Sequence, residues 1–361
     1  MPLFNADNFS NSVISYNDVD CDKNLFNKIL NNYFSEYNIK GVSQVNRSEI
    51  YSENYKVILQ IDGNDKNILL RKYNSLEESQ IKFYLLFLKN LQQKGVPVVD
   101  VVKTKNDLFY VNVGGSQYAV FDFVESDHFK ASEEAFISVA RSVAKMHKAF
   151  SGVDTEIIKK IDELSQNGEA YFNKIKFYSI KDFNDIEKII NNKKNLSIED
   201  KCVLDKLPLF IETVGLIEKE SINLGKLNKG LIHSDLHPHN LLLDGESVKA
   251  IIDFDGMRVS QVARDVAFAI YRLGRQFFAN GVLSVDKDKG NDLVKLFVGE
   301  YEKINLISKE EKRLMPLLVK DEFIRKILFV LNGVYKEDNH TWAKDLPKFL
   351  VSIGEINYFW N

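Results

Sequence analysis

Between positions 233 and 255 the chain reads His233-Ser-Asp235-Leu-His237-Pro-His239-Asn240, then Leu-Leu-Leu243, an Asp244-Gly245 turn, and the run VKAIIDFD that carries Asp253 and Asp255. Asp235 and Asn240 are five positions apart, and Asn240 and Asp253 thirteen. Two short apolar runs joined by a tight turn bring Asp253 back towards Asn240. Two carboxylates and an amide offer oxygen ligands only, which suits Mg²⁺, an ion that keeps waters and phosphate oxygens in its remaining positions. The third group is then free to orient a hydroxyl nucleophile. A second chemistry fits part of the same stretch. His233, Asp235 and His237 alternate, so on an extended segment all three face one side, as zinc or iron ligands do. Pro238 and the lack of a well-placed fourth ligand count against that metal-dependent hydrolase. The plainest alternative is an ordinary polar loop between buried strands, and the offsets of Asp, Asn and the second Asp argue against it.

The surrounding elements sort by hydrophobic period. From Gln44 to about Glu125 the runs YKVILQI, NILLRKY, LFYVNV and QYAVFDFV read as strands. The Asn64-Asp65 region and the Gly114-Gly115 pair supply turns between them. One helix interrupts the sheet: Ser75 stands three residues before Glu78 in a capping-box pattern, Ile81, Leu85 and Leu88 follow at helical spacing, and Gly95 and Pro97 end it. LFNKILNNYF from Leu25 carries another helical stripe, ahead of which the first ~20 residues read as a tail or an extra helix. Ser132 to Phe150 is helical again, with Ser132 as cap and His147 on the apolar face, where a histidine bonded within the core is expected. Beyond it helices dominate. The organisation predicted is α+β and bilobal: a β-sheet N-lobe with one helix over 1–124, and a mostly helical C-lobe over 125–361.

Composition narrows the function classes. The 361 residues, 45% of them hydrophobic, include 25 Phe and 15 Tyr, enough apolar surface to exclude global disorder. A net charge of −3 gives no sign of a chain built to neutralise a nucleic acid. No run of about 18 apolar residues is present, so no membrane span is expected. The N-terminus lacks the positive and apolar regions of a secretory signal. Cys21 and Cys202 read as plain thiols of a reducing compartment, and a cytoplasmic location is the expectation.

HxDxxxxN followed by Ile-Asp-Phe-Asp resembles the catalytic loop and metal strand of the aminoglycoside phosphotransferase and choline kinase superfamily, distant relatives of protein kinases. The segment IKFYLLFLKNLQQKGVPVVD resembles the homoserine kinase-like branch, QYAVFDFVE the interlobe hinge, and VARDVAFA the helix after the metal strand. The resemblance implies a protein-kinase-like fold and transfer of the γ-phosphate of ATP to a small hydroxyl-bearing acceptor. In that pattern Asp235 handles the acceptor hydroxyl, Asn240 and Asp253 hold Mg²⁺, and backbone groups near Phe123 and Val124 receive the adenine. His233 buttresses the loop. A cation from ILLRKY meets the α/β phosphates, with Arg71 favoured by register and Lys72 the alternative, because strand alternation lets only one face the nucleotide. Its anionic partner is expected on the helix, at Glu77 or Glu78, although Glu78 is also explained as the capping residue. No G-x-G-x-x-G cradle is present, and Ile50-Tyr-Ser52-Glu-Asn54 stands in its place, with Ser52 and Asn54 offering backbone amides to phosphate. Asp255 is read as a second metal contact or a turn cap. Asp265 is read as a helix N-cap that also holds the catalytic loop.

The acceptor pocket is expected from residues between about 152 and 230 and after Asp255. That region lacks an acidic run suited to a polycation, which leaves an amino alcohol such as homoserine, an amino sugar or other hexose, or a choline-like compound. A catalytically weak nucleotide-binding protein on the same scaffold is the reading from another class. Its mark would be loss of Asp235, Asn240 or Asp253, and all three are present.

Overall fold

The computed structural model describes residues 3–5, 16–18, 22–45, 52–74, 76–127, 129–167, 175 and 177–360. These fall into two compact units, one drawn from Asn11–Asp127 and Leu242–Asp255, the other from Met1–Ser10, His128–Leu241 and Gly256–Asn361.

The first unit is built on an antiparallel sheet of β1 (Tyr16–Asp18), β2 (Asn38–Val45), β3 (Ser52–Ile61), β4 (Asn64–Tyr73), β5 (Tyr110–Val113) and β6 (Ser116–Asp122), in the order β1-β2-β3-β4-β6-β5. The β3–β4 turn is Asp62-Gly63, with φ of 50° and 79°, the left-handed pair a two-residue hairpin needs. It precedes Asn64 and Asp65, which instead open β4. Gly114-Gly115 turns β5 into β6 in the same way, at φ 61° and 84°. Alternation along β4 sends Ile68 and Leu70 into a core with Val57, Leu59, Val120 and the Phe26, Ile29 and Leu30 face of α1 (Lys23–Leu30). Arg71, one residue out of phase, lies on the opposite face. β1 and β2 were not legible in the sequence. β2 reads NIKGVSQV, buries only Val42 and carries a register shift between Ile39 and Gly41, so no period-2 apolar signal is present.

The helix of this unit, α2 (Glu78–Gln93), begins with Glu77 as N-cap, whose N–H donates to Gln80 Oε1 at 2.8 Å. The capping pair of Glu77 and Gln80 starts the helix, and Ser75, the cap expected from the sequence, lies outside the described residues. The Glu78 carboxylate accepts from Tyr110 Oη at 2.6 Å. The hairpin Leu241–Asp244/Ser247–Ile251 joins this unit through Asp127 and Leu243, which exchange backbone hydrogen bonds of 2.8 and 3.1 Å, and through Ile251 N–H on Pro97 O at 2.8 Å.

The second unit is helical: α3 (Glu133–Ser151), α4 (Thr155–Asn167), α5 (Ile180–Asn191), α6 (Ile198–Lys226), α7 (Val262–Ala279), α8 (Lys287–Glu302), α9 (Lys309–Lys336) and α10 (Leu346–Ile356). Ser132 caps α3 through its side chain, which accepts from Ala135 N–H at 3.2 Å. α7 is buried along nearly its whole length and packs against α9, which packs in turn on α10. A strand pair, Lys229–Ile232 with Arg258–Gln261, leads into the loop that starts at His233. Arg275 and Glu355, 1% and 0% exposed, pair at 2.8 Å in the core. Tyr271 Oη and the Phe4 N–H both donate to the same carboxylate, so every oxygen of this buried anion is engaged. The Phe4 ring lies edge-on to Phe278 and Tyr358, which places the start of the chain in the helical unit. The sheet unit carries no added N-terminal helix among the described residues; what precedes α1 there is the edge strand β1. No helix among the described residues is long and apolar enough to cross a membrane.

Candidate active site

In the helical unit, the loop after Ile232 is held from below by one carboxylate. Asp265, on the first turns of α7, accepts from His233 N–H at 2.7 Å and from Ser234 N–H at 2.8 Å. Its Oδ2 also meets His147 Nε2 at 3.1 Å, and His147 Nδ1 meets Tyr301 Oη at 2.8 Å. Burial pushes the Asp265 carboxyl up, but the hydrogen bond and charge of His147 and the His233 amide outweigh it and hold the group below the usual carboxylate range. Gln261, not Asp265, is the N-cap of α7, so the Asp265 carboxylate serves the loop amides and His147 instead. Ser234 needs such a clamp, because its φ of +77° is left-handed, costing a residue with a Cβ about 1–3 kcal/mol.

The clamp fixes where the functional side chains start. Asp235 Oδ2 lies 3.2 Å from His237 Nε2. His237 Nδ1 accepts from His239 N–H at 3.2 Å, so Nε2 carries the proton and donates to Asp235. Asn240, fully buried, turns its amide nitrogen to Asp235 O at 2.9 Å. Its Oδ1 is buried with no partner among the described residues. Burial alone would raise the Asp235 carboxyl, but His237, Lys326 and Arg272 overcome it and hold it ionised well below the usual range. His233 Nδ1 accepts from Asp235 N–H at 3.3 Å, the buttressing role the sequence suggested. These contacts also remove the basis of the zinc or iron reading. His233, Asp235 and His237 bond one another within the loop, and no group of three or more His, Cys, Asp or Glu side chains among the described residues is arranged to hold a metal ion.

In the sheet unit, Arg71 Nη2 meets Asp255 Oδ2 at 2.5 Å, with 14% of the Arg71 side chain exposed. Burial lowers the guanidinium pKa, but Asp255, Tyr73, Tyr84 and Asp253 more than reverse that. The anion opposite Arg71 is thus Asp255, not Glu77 or Glu78. Asp253 stands at φ +65° just before the single turn Phe254–Gly256, whose Phe254 N–H donates to Tyr84 Oη of α2 at 3.2 Å. Lys72 points to the other face and pairs with Glu53 Oε1 at 2.7 Å, directly across the β3–β4 ladder. Ser52 and Asn54 sit inside β3, opposite Tyr73 and Arg71, rather than in a turn. The residues before them, 46–51, lie outside those described. Phe123 and Val124 follow β6 as expected of a connector. The Phe123 N–H donates to Asn67 O at 3.4 Å, and Lys56 Nζ lies 4.3 Å from the centre of the Phe123 ring.

Three cations beside Asp235 escaped the sequence reading: Arg272 on α7, Lys326 on α9 and Lys348 on α10. They stand singly on three helices far apart in the sequence, and only the packing of α7, α9 and α10 brings their charges to one carboxylate.

Comparison with known proteins fits this geometry. Residues 49–293, about two-thirds of the chain, match the model of the phosphotransferase enzyme family. A homoserine kinase of Neisseria meningitidis serogroup B is 26% identical over 250 residues, which cover 69% of this chain and 70% of that protein. Among solved structures, an aminoglycoside phosphotransferase from Alicyclobacillus acidocaldarius superposes with a TM-score of 0.60 at 17% identity, covering 92% of this chain and 93% of that one. An amicoumacin kinase, solved with AMP-PNP and Ca²⁺, superposes with a TM-score of 0.61 at 12% identity over 92% and 93% of the two chains. These structures share the protein-kinase-like fold of an antiparallel N-terminal sheet followed by helices. By its sequence match and its fold, the chain belongs to the phosphotransferase enzyme family and is a small-molecule kinase.

Proposed function

We propose that the protein transfers the γ-phosphoryl group of Mg-ATP to the hydroxyl of a small amino alcohol of the homoserine type. The observation that carries this reading is Asp235, an ionised carboxylate fixed by His237 and by a loop clamped on Asp265. Phosphoryl transfer asks little of the protein beyond positioning and charge stabilisation. A carboxylate held so far below its usual range is a weak base, so Asp235 aligns the acceptor hydroxyl and takes its proton late, once the oxygen–phosphorus bond is largely made.

The donor set fits Mg²⁺. Asn240 Oδ1, buried with no partner among the described residues, is a hard oxygen, and Asp253 supplies a carboxylate. Asn240 and Asp253 are therefore proposed as its ligands, and the ion, when bound, neutralises charge on the β- and γ-phosphates. Arg71 is proposed for the α/β phosphates. Lys72 pairs with Glu53 on the other sheet face and Lys66 with Asp122, which supports Arg71 among the cations of β4 for this role. Backbone groups of Phe123 and Val124 are proposed to receive the adenine. Ser52 and Asn54 flank the stretch proposed to cover the phosphates. The homoserine-type acceptor draws support from the similarity to the Neisseria homoserine kinase.

The test is ADP release from Mg-ATP against homoserine, choline, ethanolamine, hexoses, N-acetylhexosamines and aminoglycosides. Homoserine is expected to stimulate release, and Asp235→Ala to lower it by about 10²- to 10⁴-fold while Mg-ATP still binds. Asn240→Ala and Asp253→Ala are expected to weaken Mg-ATP binding as well. Mg-ATP binding without stimulation by any acceptor would favour the nucleotide-binding alternative.

A further inference from the structure

The two oxygens of Asp235 have different surroundings. Oδ2 belongs to the loop: His237 Nε2 donates to it at 3.2 Å, and the Asn240 side-chain amide lies 3.5 Å away. Oδ1 accepts no hydrogen bond from the described residues, and 24% of the Asp235 side chain is open. Beside Oδ1 stands Lys326 of α9, its Nζ 3.7 Å away and its side chain only 2% exposed. That separation is too long for a hydrogen bond and well within an ion pair, so the ammonium acts on the oxygen by charge and leaves its lone pairs to a ligand.

The ammonium is itself held in place. It sits 4.4 Å from the centre of the Phe268 ring of α7 and 5.8 Å from that of Phe323 on its own helix. Glu322, one turn back on α9, adds a second carboxylate that favours its charge, while Arg272 of α7 and Arg258 of the strand Arg258–Gln261 oppose it. Glu322 is in turn anchored to Arg258 at 2.7 Å and to Arg264 at 3.4 Å. Resting on the kinase reading above, we infer that the acceptor hydroxyl docks on Asp235 Oδ1 and that Lys326 is a positioning residue, its ammonium holding that oxygen in line while His237 holds the other. In the transfer, the acceptor oxygen bonds to the γ-phosphorus as the bond from that phosphorus to the oxygen of the departing ADP breaks. The electron pair of the broken bond leaves with ADP, and the hydroxyl proton passes to Oδ1. Lys326 acts through Asp235 and touches neither substrate, so its loss slows the chemical step and spares binding.

The test compares the wild type with Lys326→Met, using Mg-ATP and whichever acceptor of the panel above stimulates ADP release. At pH 7, kcat of the variant is expected to be about 10- to 100-fold lower, the cost of misplacing a reacting group, with KM for ATP and for the acceptor within about twofold of the wild type. Burial pulls the Lys326 ammonium down to about 8, so the wild type loses its advantage above that pH and the two rates converge. A side chain that merely fills space would give one ratio at every pH. Glu322→Gln removes a charge that favours the ammonium and is expected to move the alkaline limb of kcat to lower pH, a readout that stands even if Lys326→Met does not fold. Equal kcat at pH 7, a ratio independent of pH, a raised acceptor KM at unchanged kcat, or an alkaline limb unmoved by Glu322→Gln overturns the inference and leaves the kinase reading intact. No acceptor-dependent ADP release at all removes both.

Discussion

Two residues among those proposed for the reaction or next to them stand in a backbone conformation that side chains disfavour. Ser234 and Asp253 both have left-handed φ, Ser234 directly before Asp235 and Asp253 one of the proposed metal ligands. Strain of this kind persists where surrounding bonds over-determine it, and at Ser234 the two oxygens of Asp265 do so. Asp235, Asn240 and Asp253 stood out in the sequence because the chemistry proposed for them requires those types at short, fixed offsets. Lys326 was not, since nothing local to α9 distinguishes it from its neighbours; its position beside Asp235 is a product of tertiary packing. Its burial carries a signature of its own. Desolvation pulls the Lys326 ammonium down to about 8, against the opposing pull of Asp235 and Glu322. Between about pH 8 and its ordinary value of 10.5, the unfolded chain holds a proton at this site that the folded chain lacks, so stability rises with pH through that window. Lys326→Met is expected to remove about 1–3 kcal/mol of this pH-dependent gain, read as the difference between wild-type and variant urea midpoints at pH 8 and pH 10. Parallel curves for the two proteins would refute it.

Elements with one clean period were readable, and those governed by contacts distant in sequence were not. β3, β4 and β6 announce themselves by apolar alternation, and α3 by its cap and stripe. β2 has neither, and forms because β3 offers it a ladder. The start of α2 shifted to Glu77 because Gln80 supplies the reciprocal bond that the Ser75 pattern assigned to Glu78. The cationic partner question also resolved at this scale: strand parity sends Arg71 and Lys72 to opposite faces, and the hairpin after Asn240, rather than α2, brings in Asp255. Close helix packing gives a sharp stability test. A Cβ built on Gly290 of α8 would sit 1.9 Å from Tyr358 O, immediately before the buried Phe359. Gly290→Ala is expected to lower the melting temperature by several degrees, as a cost of about 1–3 kcal/mol would. An unchanged melting curve would show that the C-terminal turn yields without penalty.

Across the whole molecule, nucleotide binding should be visible as stability. A ligand that binds only the folded chain adds about 2.7 kcal/mol at a hundredfold excess over its dissociation constant. Saturating Mg-ATP is therefore expected to raise the melting temperature of the wild type by several degrees, and that of Asn240→Ala by much less at the same concentration. An equal rise in both would remove Asn240 from the metal site. The order of segments along the chain carries a different consequence. Leu242–Asp255 belongs with the sheet unit although more than a hundred residues of helical unit precede it, anchored there by Asp127, Pro97 and Arg71. A chain cut once after Asp127 would therefore leave the first fragment without a hairpin it normally bonds, and the second with that hairpin stranded. Each fragment would carry the other's missing piece, so natural shuffling of either unit as a contiguous cassette is barred, and Asp253 can be inherited only together with the helices that supply Asp235.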